Sequence, residues 1–463
     1  MNDQVDPIVE EERQANLYDI RILGISPWRL IRVPVLEAIL ANRRELGRSN
    51  HNRVHIRRVP QMIAGVGRSL WHMLRLRRRR YLILGFPRRR LEDGEWIDPF
   101  SDPLIDCLGA GNVLCIERPF GGVHCRPQRT RNILHYDWLT AISVIASRAF
   151  AFIPWLLWRR EIRTLVRRIE RIGSVSPGWI TMLAGRAFVS FWIERCVAGV
   201  LLGLVRPRAV LLTIRRHHHP WIHACKARAI PVYELQHGAM PEGGFKYSTP
   251  YDAKLDPDLF LTFGDYWNAS EWGVPASAVQ TIGFKYIADK QGCVPAALSA
   301  DRKKVMLVSQ PHVWRTLDAM FGAMVSAFPD VQFILKLHPQ DEDRWWERYP
   351  SGRASNVQVC GGMYPDLYTL FAECDCVCGY DSTVLFEAAF LGLKAGILNA
   401  DGDNLCSALE FAGQFNFHEI RRPEQLGDLL GREAHSDAAE NNPFFAPFQH
   451  ERFLKLVQAG TCD

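Results

Sequence analysis

Short apolar runs, many rich in β-branched residues, recur along the chain. Each gives way to a small-residue turn and then to apolar positions at helical spacing. In the first half these runs are Tyr81–Phe86, Val113–Glu117, Ala209–Ile214, Val232–Gln236 and Leu259–Phe263. In the second they are Val305–Ser309, Gln332–Leu337, Val357–Val359, Cys376–Cys378 and Ala395–Leu398. Strands alternating with helical stretches predict an α/β fold with parallel sheets. The segment Lys290–Asp301 is small, polar and proline-containing, and predicts a boundary between two such sheets. The expected organisation is one Rossmann-like unit over residues 1–290, a second over 300–440, and a tail over 441–463 with a helix-like segment Glu451–Ala459. Two parallel sheets facing each other make a central cleft at the C-terminal ends of their strands, where open α/β folds bind ligands.

Length agrees, since 463 residues exceed what a single ordinary core holds. Hydrophobic residues make up 48% and charged residues 23%, which excludes general disorder. The net charge of +6 is concentrated in eight arginines, Arg75, Arg77 to Arg80 and Arg88 to Arg90. They form either a solvated basic face or an attractor for phosphates, with the inner face of a membrane as the expected surface. They are not interleaved with aromatics as single-strand binders require, so no nucleic-acid partner is expected. The twelve cysteines lie mostly in apolar runs, and Cys374, Cys376 and Cys378 alternate as one face of a strand does. That suits a reduced buried sheet, and with an N-terminus lacking a signal-peptide core it predicts a cytoplasmic protein. Two apolar stretches are broken by charge or proline, Leu139–Trp158 by Arg148 and Pro154, Phe188–Val205 by Glu194 and Arg195. They read as buried helices and not as membrane spans. The Arg and Trp content of Phe152–Arg160 also fits a helix lying on a bilayer surface.

Candidate chemistry sits at the strand ends. Val305–Ser309 is followed by Gln310, Gln332–Leu337 by His338 and Pro339, and Cys376–Cys378 by Gly379, Tyr380, Asp381, Ser382 and Thr383. Ser382 and Thr383 open a helix, whose free N–H groups and positive dipole end favour a phosphate. Glu387, four residues on, lies one turn further on the same face, near the offset between a nucleotide's phosphates and its ribose. The alternative is an ordinary N-cap with a surface glutamate. His338, presented by Pro339 after Lys336, could stabilise a leaving phosphate without a metal.

The run Lys336-Leu337-His338-Pro339, taken with Asp381-Ser382-Thr383 and Glu387, resembles the paired H-P and S-S/S-T motifs of a group of GT-B glycosyltransferases. The group includes bacterial sialyltransferases, capsule Kdo transferases and the CDP-glycerol glycerophosphotransferases of teichoic acid synthesis. The resemblance covers about Arg208 to Asn399 and implies that the histidine and hydroxyls contact the phosphate of a cytidine nucleotide. It also implies that the glutamate binds ribose. UDP-GlcNAc 2-epimerase, also GT-B, has a similar H-P with S-G-G in place of S-T, which leaves the base open.

The first unit must then supply a base. Val232–Gln236 ends in Gln236-His237-Gly238, followed by Pro241-Glu242-Gly243-Gly244. The Q-H-G resembles the W-H-G of glycerophosphotransferases, which implies His237 as general base, an imidazole being suited to that work near neutrality. Glu242 could assist or replace it. Glu92-Asp93-Gly94 matches the acidic sialyltransferase motif in text but reads as a charged turn. His217, His218, His219 and His223 superficially suggest a metal cluster. Behind Arg215 and Arg216, the start of that run reads better as an anion-binding loop, with Arg215, Arg216, His217 and Gln236 facing the acceptor. Neither G-x-G-x-x-G nor a P-loop occurs. The pairs Asp401–Asp403, Asp341–Asp343 and Asp256–Asp258 are not needed for a cation when His338 and a helix end already serve the phosphates, so no metal and no cofactor is expected. The expectation is an inverting transferase moving a sugar from a CMP- or CDP-linked donor to a glycan or lipid-linked glycan of a bacterial surface polysaccharide. The rival expectations are an epimerase-like enzyme and a non-catalytic glycan-binding module.

Overall fold

The structure is a computed structural model, and it describes residues 7–42, 59–73, 76–86, 89–119, 123–239, 246–292, 303–361, 366–402, 404, 406–434 and 442–459. In chain order the strands are β1 Tyr81–Leu84, β2 Arg90–Glu92, β3 Glu95–Ile97, β4 Val113–Glu117, β5 Ile133–His135, β6 Ala209–Thr213, β7 Val232–Leu235, β8 Leu259–Thr262 and β9 Val279–Thr281. They continue as β10 Lys304–Val308, β11 Gln332–Lys336, β12 Val357–Cys360, β13 Cys376–Gly379, β14 Lys394–Leu398 and β15 Phe417–Ile420. A seven-stranded parallel sheet runs β5-β4-β1-β6-β7-β8-β9, and a six-stranded parallel sheet runs β12-β11-β10-β13-β14-β15. The strand β1 pairs Tyr81 with Val113 on one side and Ala209 on the other. Helices cover both faces, so central strands such as β1, β6 and β14 are buried throughout, and their sequences are continuous apolar runs. Strand order reverses between β1 and β6 and between β10 and β13, which sets a crevice at each sheet's C-terminal edge.

All ten strands expected from the sequence form, with ends shifted by at most two residues. β5, β9 and β15 were not expected. They are three or four residues long and interrupt apolar residues with His, Gln or Glu, so they carry little period-2 signal. The hairpin β2–β3 was read only as a charged turn, and it turns through Asp93 (φ 48°) and Gly94 (φ 80°), a pair suited to a two-residue hairpin.

Between β5 and β6 the chain inserts helices Asp137–Phe150, Phe152–Leu157, Arg159–Ile169 and Pro177–Val205. The N-terminal helices Pro7–Gln14 and Pro27–Asn42 bury Ile8, Trp28, Val35 and Leu36 against Ile162, Leu165, Ile180 and Phe188 of that insertion. A charged group inside this core has partners: Glu12 accepts from Arg32 Nε and from Trp28 Nε1, each at 2.6 Å. At the other end, Phe444 and Phe445 pack in a core shared by residues of both sheets. The helix His450–Ala459 then returns to the first sheet, setting Phe453 and Val457 beside Tyr81, Ile83 and Leu211.

The arginine cluster does not form one basic face. Arg89 is buried, with Nε 2.5 Å from Glu117 and Nη1 3.2 Å from Asp102, and Arg90 pairs with Glu387 on the helix Thr383–Phe390 that follows β13. Arg77, Arg78 and Arg80 are exposed; Arg75 and Arg88 lie outside the described residues. The cluster divides because the chain leaving β1 runs inward, past carboxylates that the local sequence does not reveal.

Candidate functional site

Because β11, β10 and β13 are neighbours, the segments that follow them form one rim. Gln310 ties that rim together. Its Oε1 accepts from the N–H groups of Tyr380 and Asp381, each at 3.1 Å, and its Nε2 donates to the Asp381 carboxylate. Gln310, expected on the nucleotide, is buried and positions the turn before Ser382. Burial would raise the Asp381 carboxyl, but hydrogen bonds from His312 and Gln310 outweigh it and hold the group below the usual carboxylate range.

The His338 N–H donates to Ser309 Oγ at 2.7 Å, and Ser309 Oγ donates to the buried Asp341 at 2.8 Å. His338 Nδ1 accepts from the Gln340 N–H at 3.2 Å, which in the neutral ring places the proton on Nε2. That is the form able to donate to a phosphate oxygen. Pro339 follows directly and confines the turn. Lys336, expected on the phosphates, is buried with Nζ 2.6 Å from the Gly361 carbonyl just past β12. Burial pulls its ammonium down to about 8. In this structure its ammonium is thus turned to the end of β12.

Ser382 caps the helix Thr383–Phe390, its Oγ accepting from the Val384 N–H at 3.3 Å. The Thr383 hydroxyl accepts from the Ala239 N–H of the first domain at 3.0 Å. One turn on, Glu387 is buried. Its Oε1 lies 3.2 Å from Arg90 Nη2, and its Oε2 accepts from the Tyr368 hydroxyl at 2.6 Å. The Arg90 guanidinium lies 5.3 Å from the Tyr286 ring centre and 5.6 Å from that of Tyr368. Both carboxylate oxygens of Glu387 are thus engaged from within the protein.

On the first sheet, Gln236 is buried and bonded to backbone on both sides, to the Gly238 carbonyl at 2.9 Å and from the Phe263 N–H at 2.8 Å. Expected on the acceptor side, its amide is engaged by backbone and shapes the loop. His237 follows, with Nδ1 3.4 Å from the Tyr247 hydroxyl. The Tyr247 hydroxyl donates to Glu234 at 3.0 Å, so its oxygen can only accept from His237. This favours the tautomer with the proton on Nδ1 and the lone pair on Nε2. Burial and the neighbouring Glu234 push the Tyr247 hydroxyl well up, so it keeps its proton. A Cβ added at Gly238 would lie 3.1 Å from Thr383 Oγ1, a tight contact that the threonine side chain would have to relieve.

Arg215, expected on the acceptor side, has its guanidinium engaged from within the protein. It is buried, with Nε 2.5 Å from Glu234, Nη1 3.2 Å from Asp256 and Nη2 2.6 Å from the Trp272 carbonyl. Arg216 and His217 stay together, Arg216 Nε donating to His217 Nε2 at 3.4 Å, and Arg216 Nη1 is buried with no hydrogen-bond partner. Glu242 lies outside the described residues.

No protein-family model and no curated protein sequence matches the chain. Among solved structures it is similar to UDP-GlcNAc 2-epimerase from Methanocaldococcus jannaschii, at 12% identity and TM-score 0.50, over 82% of this chain and 99% of that one. It is also similar to UDP-N-acetylglucosamine 2-epimerase from Rickettsia bellii, at 12% identity and TM-score 0.46, over 83% and 97%. A third is the spinosyn rhamnosyltransferase SpnG complexed with thymidine diphosphate, at 15% identity and TM-score 0.46, over 81% and 100%. The fold is GT-B. Likeness at this identity shows the fold alone.

Within that fold the sequence missed Tyr247 and Glu234 behind His237, Tyr368 and Arg90 around Glu387, and a cluster at the ends of β4 and β5. In the cluster, His124 lies between Glu117 (2.7 Å from Nδ1) and Asp137 (2.8 Å from Nε2). Burial opposes its charge, yet the two carboxylates outweigh it and raise the imidazole above its usual range. His135, its ring centre 3.9 Å from that of His124, is pushed down to about 3 by burial and by that neighbour. One ligand atom each of Glu117, His124 and His135 lies within 4.8 Å of the others, so among the described residues these three could hold a metal ion. They come from two strand ends and the loop between, a spacing that no sequence motif encodes.

Proposed function

We propose that the chain is an inverting glycosyltransferase that moves a sugar from a nucleotide-linked donor, with CMP or CDP favoured, onto a glycan or lipid-linked glycan of a bacterial surface polysaccharide. One observation carries the reading: the loop bearing His237 touches the helix end bearing Ser382 and Thr383, through the Ala239 N–H and the Thr383 hydroxyl. A proton acceptor and a phosphate-favouring helix end thus meet between the domains. In the proposed step His237 Nε2 takes the acceptor proton as the hydroxyl oxygen bonds to the anomeric carbon. The anomeric carbon–oxygen bond to phosphate breaks, and its electron pair leaves with the phosphate. His338 Nε2–H and the N–H groups at Ser382 and Thr383 stabilise the departing charge without a metal. Glu387 holds the ribose once Arg90 has moved, and Arg216 with His217 meets an anionic group of the acceptor.

Thermal-shift screening against CMP, CDP, UDP and GDP tests this. Stabilisation by a cytidine nucleotide, lost in His338→Ala, is the expected result, and no response to any nucleotide overturns the reading. Acceptor-free conversion of UDP-GlcNAc would assign the chain to an epimerase-like reaction instead.

A further inference from the structure

Two of the inserted helices, Asp137–Phe150 and Phe152–Leu157, face outward with the side a soluble core would bury. The helix Asp137–Phe150 buries Asp137, Leu139, Ser143 and Ser147, while Ile142, Val144, Ile145 and Phe150 are exposed, Ile145 at 68%. The next helix exposes Phe152, Leu156 and Leu157, each near 60%. Among the described residues fifteen large hydrophobic side chains are exposed, and seven of them fall within 142–157. Five more, Leu70, Trp71, Met182, Val200 and Leu204, sit on Val59–Met73 and Pro177–Val205, the helices that pack against this pair. Scattered apolar residues need no explanation, but a contiguous face of this size marks an interaction surface. The expectation that 139–158 forms buried helices is therefore corrected. Asp137–Phe150 buries Asp137, Leu139, Ser143 and Ser147 and Phe152–Leu157 buries Pro154, while the large apolar side chains named above face outward.

Charge identifies the occupant. Arg148, Arg159, Arg160, Arg163 and Arg167 are exposed along the same insertion, and Arg68, Arg77 and Arg78 are exposed on or just after the helix beside it. The two acidic residues of 137–169 offer little opposition, Asp137 being buried and Glu161 half-buried. Arg159 also lies over Trp155 at 5.0 Å, an aromatic and cationic pair suited to a headgroup layer. The helix Pro177–Val205 is long and apolar enough to cross a membrane, yet it packs against Pro27–Asn42, Asp137–Phe150 and His219–Lys226 and serves as the insertion's core. An apolar strip edged by guanidinium groups is what an interfacial helix presents to a negatively charged bilayer.

We propose that helices Asp137–Phe150 and Phe152–Leu157 dock the protein on an anionic phospholipid bilayer, with Ile142, Ile145, Phe152, Leu156 and Leu157 entering the interface and the flanking arginines on headgroup phosphates. The surface lies outside the residues assigned to transfer and stands whether or not that reading holds.

The test is co-sedimentation of the full chain with vesicles of phosphatidylcholine alone and of phosphatidylcholine with phosphatidylglycerol. Binding to the mixed vesicles, weakened by salt and reduced at least tenfold in Ile145→Asp/Leu156→Asp/Leu157→Asp, is expected. Each of Arg159→Ala, Arg160→Ala and Arg163→Ala should lower it about fivefold at low salt. Should the triple variant fail to fold, amide exchange on the wild-type chain decides: residues 142–157 gain protection on mixed vesicles. No binding to mixed vesicles, or no added protection there, overturns the proposal. So does a self-association that the same residues mediate in the absence of lipid, which would assign the face to a second copy.

Discussion

Replacing Arg90 by methionine tests the contact that joins the two halves of the cleft. Arg90 reaches Glu387 at 3.2 and 3.4 Å, and Glu387 is 3% exposed against 27% for Arg90. Opposite charges about 4 Å apart attract by roughly 4 kcal/mol at the effective dielectric of a protein surface. Exposed pairs contribute about 0–1 kcal/mol, whereas breaking a fully buried one costs about 3–5. With one partner buried and the other partly wet, a loss of about 2 kcal/mol is expected for Arg90→Met, measured by urea unfolding at neutral pH. The Tyr368 hydroxyl still serves Oε2, which keeps the loss below the fully buried limit. Combined with Glu387→Gln in a double-mutant cycle, the coupling should be about 1.5–2 kcal/mol. A coupling under about 0.5 kcal/mol would refute the pair as a structural link. Binding provides a second readout with the opposite sign. If a ribose must displace Arg90, Arg90→Met should bind the nucleotide found by thermal shift more tightly, about tenfold for 1.4 kcal/mol of competition removed. Unchanged or weaker affinity would show that Arg90 and the nucleotide do not compete.

Two other expectations follow from buried hydrogen bonds. Tyr247→Phe removes the oxygen that orients His237 and the donor that serves Glu234, so turnover should fall about 10- to 100-fold with KM little changed; an unaltered rate would remove Tyr247 from the site. His124→Gln bears on pH: the raised imidazole contributes its full stability below about pH 6.5, and that contribution is lost as pH rises through the folded value. Hydrogen bonding and charge from His124 and Arg89 outweigh the opposing effect of burial and lower Glu117, whose contribution is present above about pH 4.5 and lost as pH falls through its folded value. The urea midpoint of the native chain should therefore exceed that of His124→Gln most between about pH 4.5 and 6.5, and the gap should narrow above. A gap independent of pH would count against the charged clamp.

The sheets were legible because each central strand is buried on both faces, and that requirement writes itself as a continuous apolar run. Strand ends were legible for the same reason, since polar residues, Ser309 and Gln310, His338, and Asp381 and Ser382, follow directly on such runs. What each polar residue does there was not legible. Gln236 and Gln310 present the same local pattern as His237 and His338, yet both amides are engaged by backbone on neighbouring strands. Arg89 and Arg215 read as cations free for a ligand, but each meets carboxylates brought in from elsewhere in the chain. The outward apolar face of Asp137–Phe150 was hidden because apolar content says only that a helix has such a face, not which way the tertiary packing turns it.

The contacts around Thr383 and Glu387 share a consequence. Both residues belong to the second domain, and both are held by the first, Thr383 through the Ala239 N–H and Glu387 through the Arg90 guanidinium. On the proposed reading these are the atoms that would meet a donor's phosphate and ribose. The first domain thus makes, in its own substance, a donor N–H contact at the phosphate position and a cationic contact at the ribose position. Donor entry is then an exchange of partners and not the filling of a void. On that reading it bears on β2–β3 and on the loop after β7 alike, because Arg90 stands on one and Ala239 on the other. The His237 loop would therefore move as the donor enters, and the base would reach its working position only once phosphate and ribose have replaced these contacts.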